Sequence, residues 1–259
     1  MVINDWTNFF VPNAELYKPV KIFDYIGDND SDQTLYITVP KGEAPCPALI
    51  WFHGGGFVGG SREIATDFYN GKFAMIEARY RLSPKFPVPC ALSDGVAAVA
   101  RVMKNAEEWG IDPGKIFLGG MSAGAWLAAM VGMDGKLLAK HGCDHRKLSG
   151  LLISSGQMTT HFQFKADMGY DTGAYEPVID DFAPLAHLSK DLPPILLITG
   201  ESGLDIPARP EENAFLAASL KAIGHTQVSC YHLKGCDHST VLDHSGKLFT
   251  EFIAEIAGK

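Results

Sequence analysis

The chain has 259 residues, 46% hydrophobic and 20% charged, which is the make-up of one sizeable globular unit able to bury a core. Its formal charge is −8 and its Lys and Arg residues are scattered, so the clustered cations of a phosphate-binding surface are missing and no nucleic-acid partner is expected. No apolar run approaches the roughly 18 residues of a membrane span.

The start, Met1-Val-Ile-Asn-Asp-Trp, has no basic segment before an apolar one. No secretory signal or membrane attachment is therefore expected, and the reading is a cytoplasmic protein. The five cysteines, Cys46, Cys90, Cys143, Cys230 and Cys236, are odd in number and have no paired spacing. They read as reduced, mostly buried thiols. Nothing in the sequence fixes an oligomeric state.

Residues 20–26 and 34–39 predict two strands joined by a polar turn around 28–31, short enough for an antiparallel pair. Residues 48–52 and 73–78 are short apolar runs bounded by turn formers, as buried strands are. A helix follows over 91–108, where Leu92, Val96, Val99, Met103 and Ala106 recur on one face. Asp112-Pro113-Gly114 predicts a turn, 116–118 a strand, and 123–131 a helix of small residues able to pack close to a sheet. Further strands are expected at 151–154, 195–199 and 228–232, with helices at 211–223 and 247–257. Phe249, Phe252, Ile253 and Ile256 form the inward face of the last helix. The alternation predicts an α/β fold, with an eight-stranded, mostly parallel sheet and helices on both faces of a single domain. Residues 157–187 break the alternation with a mixture of aromatics, Asp, Gly and Pro; an insertion this long reads as a small cap over a pocket.

Gly120-Met121-Ser122-Ala123-Gly124 lies between a strand and a helix, the context that the G-x-S-x-G pattern requires. A tight turn there exposes the Ser122 hydroxyl, and the helix N-terminus behind it favours a developing oxyanion. His53-Gly54-Gly55-Gly56-Phe57 follows the strand at 48–52, and its glycines can turn N–H groups toward a substrate oxygen. The N–H of Ala123 supplies a further donor, and His53 reads as a structural residue of the loop. A serine hydroxyl needs a base, and in this chain order the histidine comes last. His238, after the last strand, is preferred over His244, with Asp237 capping its loop. The acid belongs to 200–207, where Glu201 and Asp205 both occur; Asp205, deeper in the loop, is favoured.

The combination of HGGGF, Ala78-Arg-Tyr-Arg-Leu-Ser-Pro, the segment from Phe86 to Asp94, and GMSAGAWLA resembles the hormone-sensitive-lipase-type branch of the α/β-hydrolases. The resemblance runs from about Pro40 to the C-terminus. Within the branch the chain is similar to compact bacterial esterases, including acetyl- and feruloyl-esterases that act on decorated sugars. The resemblance implies the α/β-hydrolase fold and a triad of Ser122, Asp205 and His238. It also implies an oxyanion hole from the N–H groups of Gly55, Gly56 and Ala123. The expected activity is hydrolysis of a small-molecule ester without metal or organic cofactor. An arylformamidase-like amidase would use the same residues, and a non-catalytic binding protein would usually have lost one of them. The chain departs from the branch at Met121, where many relatives are acidic, and at Ala125, where they carry Gly. The usual acid also lies nearer the strand end, at Gly203.

Phe57 and Met121 flank the chemistry in sequence, and Met158, His161 and Phe162 belong to the cap; all five are candidates for the substrate pocket. Arg79, Arg81 and Asp94 read as structural residues behind it. His141, Cys143, Asp144 and His145 are metal-capable side chains, but their spacing matches no common zinc arrangement, so a solvated loop is expected. Trp51, Trp109 and Trp126 read as core.

Overall fold

Apolar runs at 48–52, 151–154 and 195–199 have no polar face, and each becomes a strand buried on both sides. A computed structural model describes residues 2–3, 6, 9–42, 44–60 and 62–258. In chain order its strands and helices are β1 (Val2–Ile3), β2 (Lys21–Asp24), β3 (Thr34–Thr38), β4 (Cys46–Phe52), β5 (Ile64–Ala65), β6 (Ala74–Ala78), α1 (Val88–Asn105), β7 (Ile111–Met121), α2 (Ala123–Met133), α3 (Gly135–Ala139), β8 (Gly150–Ser154), α4 (Phe162–Asp167), β9 (Ile195–Thr199), α5 (Arg209–Ala222), β10 (Val228–His232) and α6 (Val241–Ala257).

Eight strands form one sheet in the order β10-β9-β8-β7-β4-β6-β3-β2. The β2–β3 and β3–β6 pairs are antiparallel and the rest parallel. The expected eight-stranded, mostly parallel sheet is therefore borne out. A separate two-stranded pair, β1 with β5, was not expected from the sequence.

Successive residues of each strand point to opposite faces, and two apolar cores result. Ala48, Ile50 and Phe52 of β4 join α1, α2 and α5 on one face, including Val99, Trp126 and Leu216. Leu49 and Trp51 join α6 on the other, through Val241, Phe249 and Ile253. Trp51, Trp109 and Trp126 are all buried. Among the described residues, no helix is long and apolar enough to cross a membrane.

Three boundaries move for identifiable reasons. Helix α1 starts at Val88, ahead of its periodic face, because Pro89 suits a first turn and Asp167 accepts the Val88 N–H at 2.8 Å. The Asp112-Pro113-Gly114 turn lies inside β7: Cys46 pairs with Ile111 and Ala48 with Ile116, so extra residues of β7 bulge out while Asp112 accepts the Gly114 N–H at 2.9 Å. Helix α6 starts at Val241, six residues before the expected 247, because Asp237 Oδ1 caps the turn through the N–H groups of Ser239 and Thr240, both at 2.9 Å. All five cysteines are free thiols, but only Cys46 and Cys236 are buried, which corrects the expectation that most would be.

Candidate active site

Parallel strands in an open sheet deliver the loops at their C-terminal ends to one edge, where ligands of such sheets gather. Here that edge collects the loops after β4, β7, β8, β9 and β10. Ser122 sits between the last residue of β7 and the first of α2, with φ 55° and ψ −115°. This left-handed backbone is uncommon for a residue with a side chain, and it turns the hydroxyl out of the strand–helix corner. The corner is held by the Ser122 N–H on Ser154 O at 2.8 Å and by the Trp126 N–H on Ser122 O at 3.1 Å. A Cβ at Gly124 would overlap the carbonyls of Phe52 and His53, so only glycine lets α2 pass this close to β4.

His238 Nε2 lies 2.8 Å from Ser122 Oγ, and its Nδ1 lies 2.7 Å from Asp205 Oδ1. With Nδ1–H donating to the Asp205 carboxylate, Nε2 is the acceptor for the serine hydroxyl. Asp205 reaches this point because the loop after β9 turns back, with the N–H groups of Leu204 and Asp205 on Glu201 O at 2.9 and 3.0 Å. Its carboxylate also accepts Gly200 N–H at 2.8 Å, Ile206 N–H at 2.7 Å and the Ser155 hydroxyl at 2.6 Å. Burial pushes this carboxyl up, but the hydrogen bonds from His238, Ser155 and Gly200 outweigh it and hold the group below the usual aspartate range. Glu201 is not at the imidazole; its Oε2 accepts the Gly235 N–H at 2.6 Å and ties the two loops together. His244 is an exposed residue of α6.

The glycine loop borders the same space. Gly55 has φ 104°, and its carbonyl accepts the N–H groups of Val58 and Gly59 at 3.1 and 3.0 Å. A side chain at Gly55 would strike the carbonyl of Gly59, so the tight loop excludes one. His53 donates from Nδ1 to Gly54 O at 2.8 Å, its ring stacks on Tyr80 with centroids 4.3 Å apart, and Tyr80 donates to its carbonyl at 2.6 Å. Burial pushes the His53 imidazole down to about 4, so it holds the loop as a neutral ring. Ala123 opens α2 directly after Ser122.

A cleft of about 690 Å³ opens onto Ser122 and His238, with Gly55, Gly56, Met121 and Phe162 in its wall. Of the five pocket candidates, Met121 and Phe162 line this cleft, and the other three do not. Phe57, with φ 64°, turns inward against Trp126 and His161. Met158 is fully buried, its N–H held by Glu212 at 2.7 Å. His161 is fully buried and accepts the Gln163 N–H at 3.1 Å as the cap of α4. Proximity in sequence misled for Phe57, and membership of the 157–187 segment for Met158 and His161, because all three side chains are buried in the core.

Sequence reasoning missed Ser155, Glu63, Leu242 and Asp243. Ser155 follows β8 as Ser122 follows β7, and it also has a positive φ, 47°; that parallel placement was its only signal. Glu63 lines the cleft and accepts the Gly54 N–H at 3.0 Å through Oε2. Behind the site, Arg81 grips Asp94 through Nε at 2.8 Å and Nη2 at 2.7 Å, and Arg79 pairs with Asp32. In the 140–146 loop, Asp144 pairs with Arg146 at 2.8 Å. Among the described residues no group of three His, Cys, Asp or Glu side chains is placed to hold a metal ion.

Residues 35–150 match the BD-FAE family. An AB hydrolase superfamily protein of Schizosaccharomyces pombe is 38% identical over 99 residues, which cover 36% of this chain and 28% of that protein. Esterase LipI of Mycobacterium tuberculosis is 34% identical over 98 residues, 34% of this chain and 29% of that one. The chain thus matches less than a third of the length of either curated relative. Among solved structures, a truncated carbohydrate esterase from gut microbiota superimposes with a TM-score of 0.81 at 19% identity, covering 96% of this chain and all of that one. That superposition and the sheet order show the α/β-hydrolase fold, and the resemblance read from the motifs is borne out.

Proposed function

We propose that this α/β-hydrolase-fold chain is a serine carboxylesterase acting on small esters, with Ser122 as nucleophile, His238 as base and acid, and Asp205 as the residue that orients the imidazole. One observation carries the reading: His238 bridges Ser122 Oγ at 2.8 Å and Asp205 Oδ1 at 2.7 Å at the floor of an open cleft. Ser122 attacks the ester carbonyl while Nε2 takes its proton. Asp205 holds the tautomer and stabilises the imidazolium. The N–H groups of Gly55, Gly56 and Ala123 receive the oxyanion, each contributing about 3 kcal/mol. His238 then returns the proton to the departing alcohol. It next activates the water that cleaves the acyl-serine.

Acetyl or feruloyl esters of sugars are the substrate class favoured within this reading, supported by the BD-FAE match and by the curated relatives named as esterases. Residues 157–187 act as a fixed cap, presenting Phe162 to the cleft while Met158 and His161 anchor it from below. A cytoplasmic location fits the five free thiols.

A panel of p-nitrophenyl acetate, acetylated sugars, feruloylated sugars and an N-formyl arylamine tests the proposal. Ester turnover that disappears in folded Ser122→Ala is the expected result. Preference for the formamide, or activity surviving the substitution, would overturn it.

A further inference from the structure

The glycine loop contains three consecutive peptide groups whose carbonyls are all held. His53 O accepts the Tyr80 hydroxyl at 2.6 Å, Gly54 O accepts the His53 Nδ1–H at 2.8 Å, and Gly55 O accepts the N–H groups of Val58 and Gly59 at 3.1 and 3.0 Å. These peptides are trans, so their N–H groups, on Gly54, Gly55 and Gly56, face away from those carbonyls. Glu63 Oε2 accepts the first of them at 3.0 Å. Among the described residues nothing accepts the other two, nor the N–H of Ala123, and Gly55 and Gly56 border the cleft. Glu63 itself stands on a braced mount. Its carbonyl accepts the Trp51 indole N–H at 2.7 Å, the next two residues pair as β5 with β1, and the preceding Arg62 is buried on Glu77 at 2.5 and 2.6 Å.

We propose that Glu63 is a positioning residue for the oxyanion hole: its hydrogen bond to the Gly54 N–H, opposite the Tyr80 hydroxyl on the same peptide, fixes the start of the loop and so aims the N–H groups of Gly55 and Gly56. The inference rests on the esterase reading, in which those two donors and Ala123 receive the oxyanion. Gly54 and Gly55 have no Cβ to restrict them, so a peptide held at one end only is free to swing about their dihedrals. Donors displaced by even about 1 Å lose much of their hold on the transition state. A carboxylate this close opposes a developing oxyanion, but the imidazolium that forms at His238 in the same step lies within its field and offsets it. What the hole needs from residue 63 is the acceptor oxygen and not the charge.

Two conservative variants separate acceptor from charge. Glu63→Gln keeps an acceptor at the same reach without the charge; Glu63→Asp keeps the charge but withdraws the oxygen by about 1.5 Å. With p-nitrophenyl acetate, folded Glu63→Asp should lower kcat about tenfold or more at nearly unchanged KM, while Glu63→Gln stays within about threefold of the wild type. A trifluoromethyl ketone reads the hole itself: Ser122 Oγ adds to the ketone carbon, its proton passes to His238 Nε2, and the ketone oxygen becomes the oxyanion. Its inhibition should weaken by the same factor as kcat in Glu63→Asp and hold in Glu63→Gln. Glu63→Asp within about twofold of the wild type, Glu63→Gln as impaired as Glu63→Asp, or a loss confined to KM would each overturn the inference and leave the esterase reading intact. A wild-type protein that neither hydrolyses the ester nor binds the ketone would fail the esterase reading itself, and the inference would fall with it.

Discussion

At the scale of single residues, Asp205 is the most heavily constrained group in the site: four donors, from His238, Ser155, Gly200 and Ile206, fix its carboxylate, and the tight turn on Glu201 fixes its loop. Replacing it with Asn removes the acceptor that sets the His238 tautomer, and kcat should fall about 10⁴-fold. Glu201→Gln, which touches only the Gly235 N–H, should stay within about threefold. Steady-state kinetics on one ester decides between them, and the reverse order would reassign the acid. Ser155 acts through Asp205 and His238 Nδ1, which lies 3.0 Å from its hydroxyl. Its removal in Ser155→Ala should lower kcat about tenfold with KM unchanged, the effect of one hydrogen bond to a charged group. A rise in KM alone would show that it does not position the triad. Ser122 and His238 were legible in the sequence because motif and chain order single them out. For the proposed acid the sequence offered two residues and favoured Asp205 on its depth in the loop alone, since the backbone turn that brings Asp205 to His238 has no sequence signature. Ser155 was invisible because nothing distinguishes a serine at a strand end until the neighbouring loop folds over it.

At the scale of elements, strand and helix cores were readable and their ends were not. Periodicity reports burial, whereas the starts of α1 and α6 are set by the caps that Asp167 and Asp237 supply from elsewhere in the chain or just outside the helix. The elbow between β7 and α2 was readable because it needs small residues. Gly124→Ala should drive α2 away from the carbonyls of Phe52 and His53 and lower unfolding free energy by about 3 kcal/mol or more, measured by urea titration. An unchanged midpoint would mean the elbow has slack. The proposed cap divides into a core half and a cleft half, which the sequence could not separate. Met158→Ala should cost about 2–5 kcal/mol of stability and leave acyl-chain preference alone. Phe162→Ala should do the opposite, shifting preference among short and long acyl esters with little loss of stability. Exchange of these two outcomes would refute the assignment of the two faces.

Over the whole molecule, two cores back one sheet, and the edge that carries the candidate site is supported by buried histidines that must stay neutral. The His53 imidazole is pushed down to about 4, and His161 well below its ordinary value, each by burial. The unfolded chain therefore binds more protons than the folded one between about 6.5 and 4, so stability falls as pH drops through that window and levels off for His53 below it. His53 alone should remove about 2 kcal/mol between pH 7 and pH 5. Urea unfolding at the two pH values reads it, and a midpoint that is flat or rises on acidification would contradict the neutral, buried assignment. The account as a whole depends on an activated hydroxyl at residue 122, and a fluorophosphonate reports on that directly. Incubation should add one adduct per chain, mapped by peptide mass to Ser122, with ester turnover lost in proportion. Absence of an adduct, or inactivation by labelling a different residue, would contradict it.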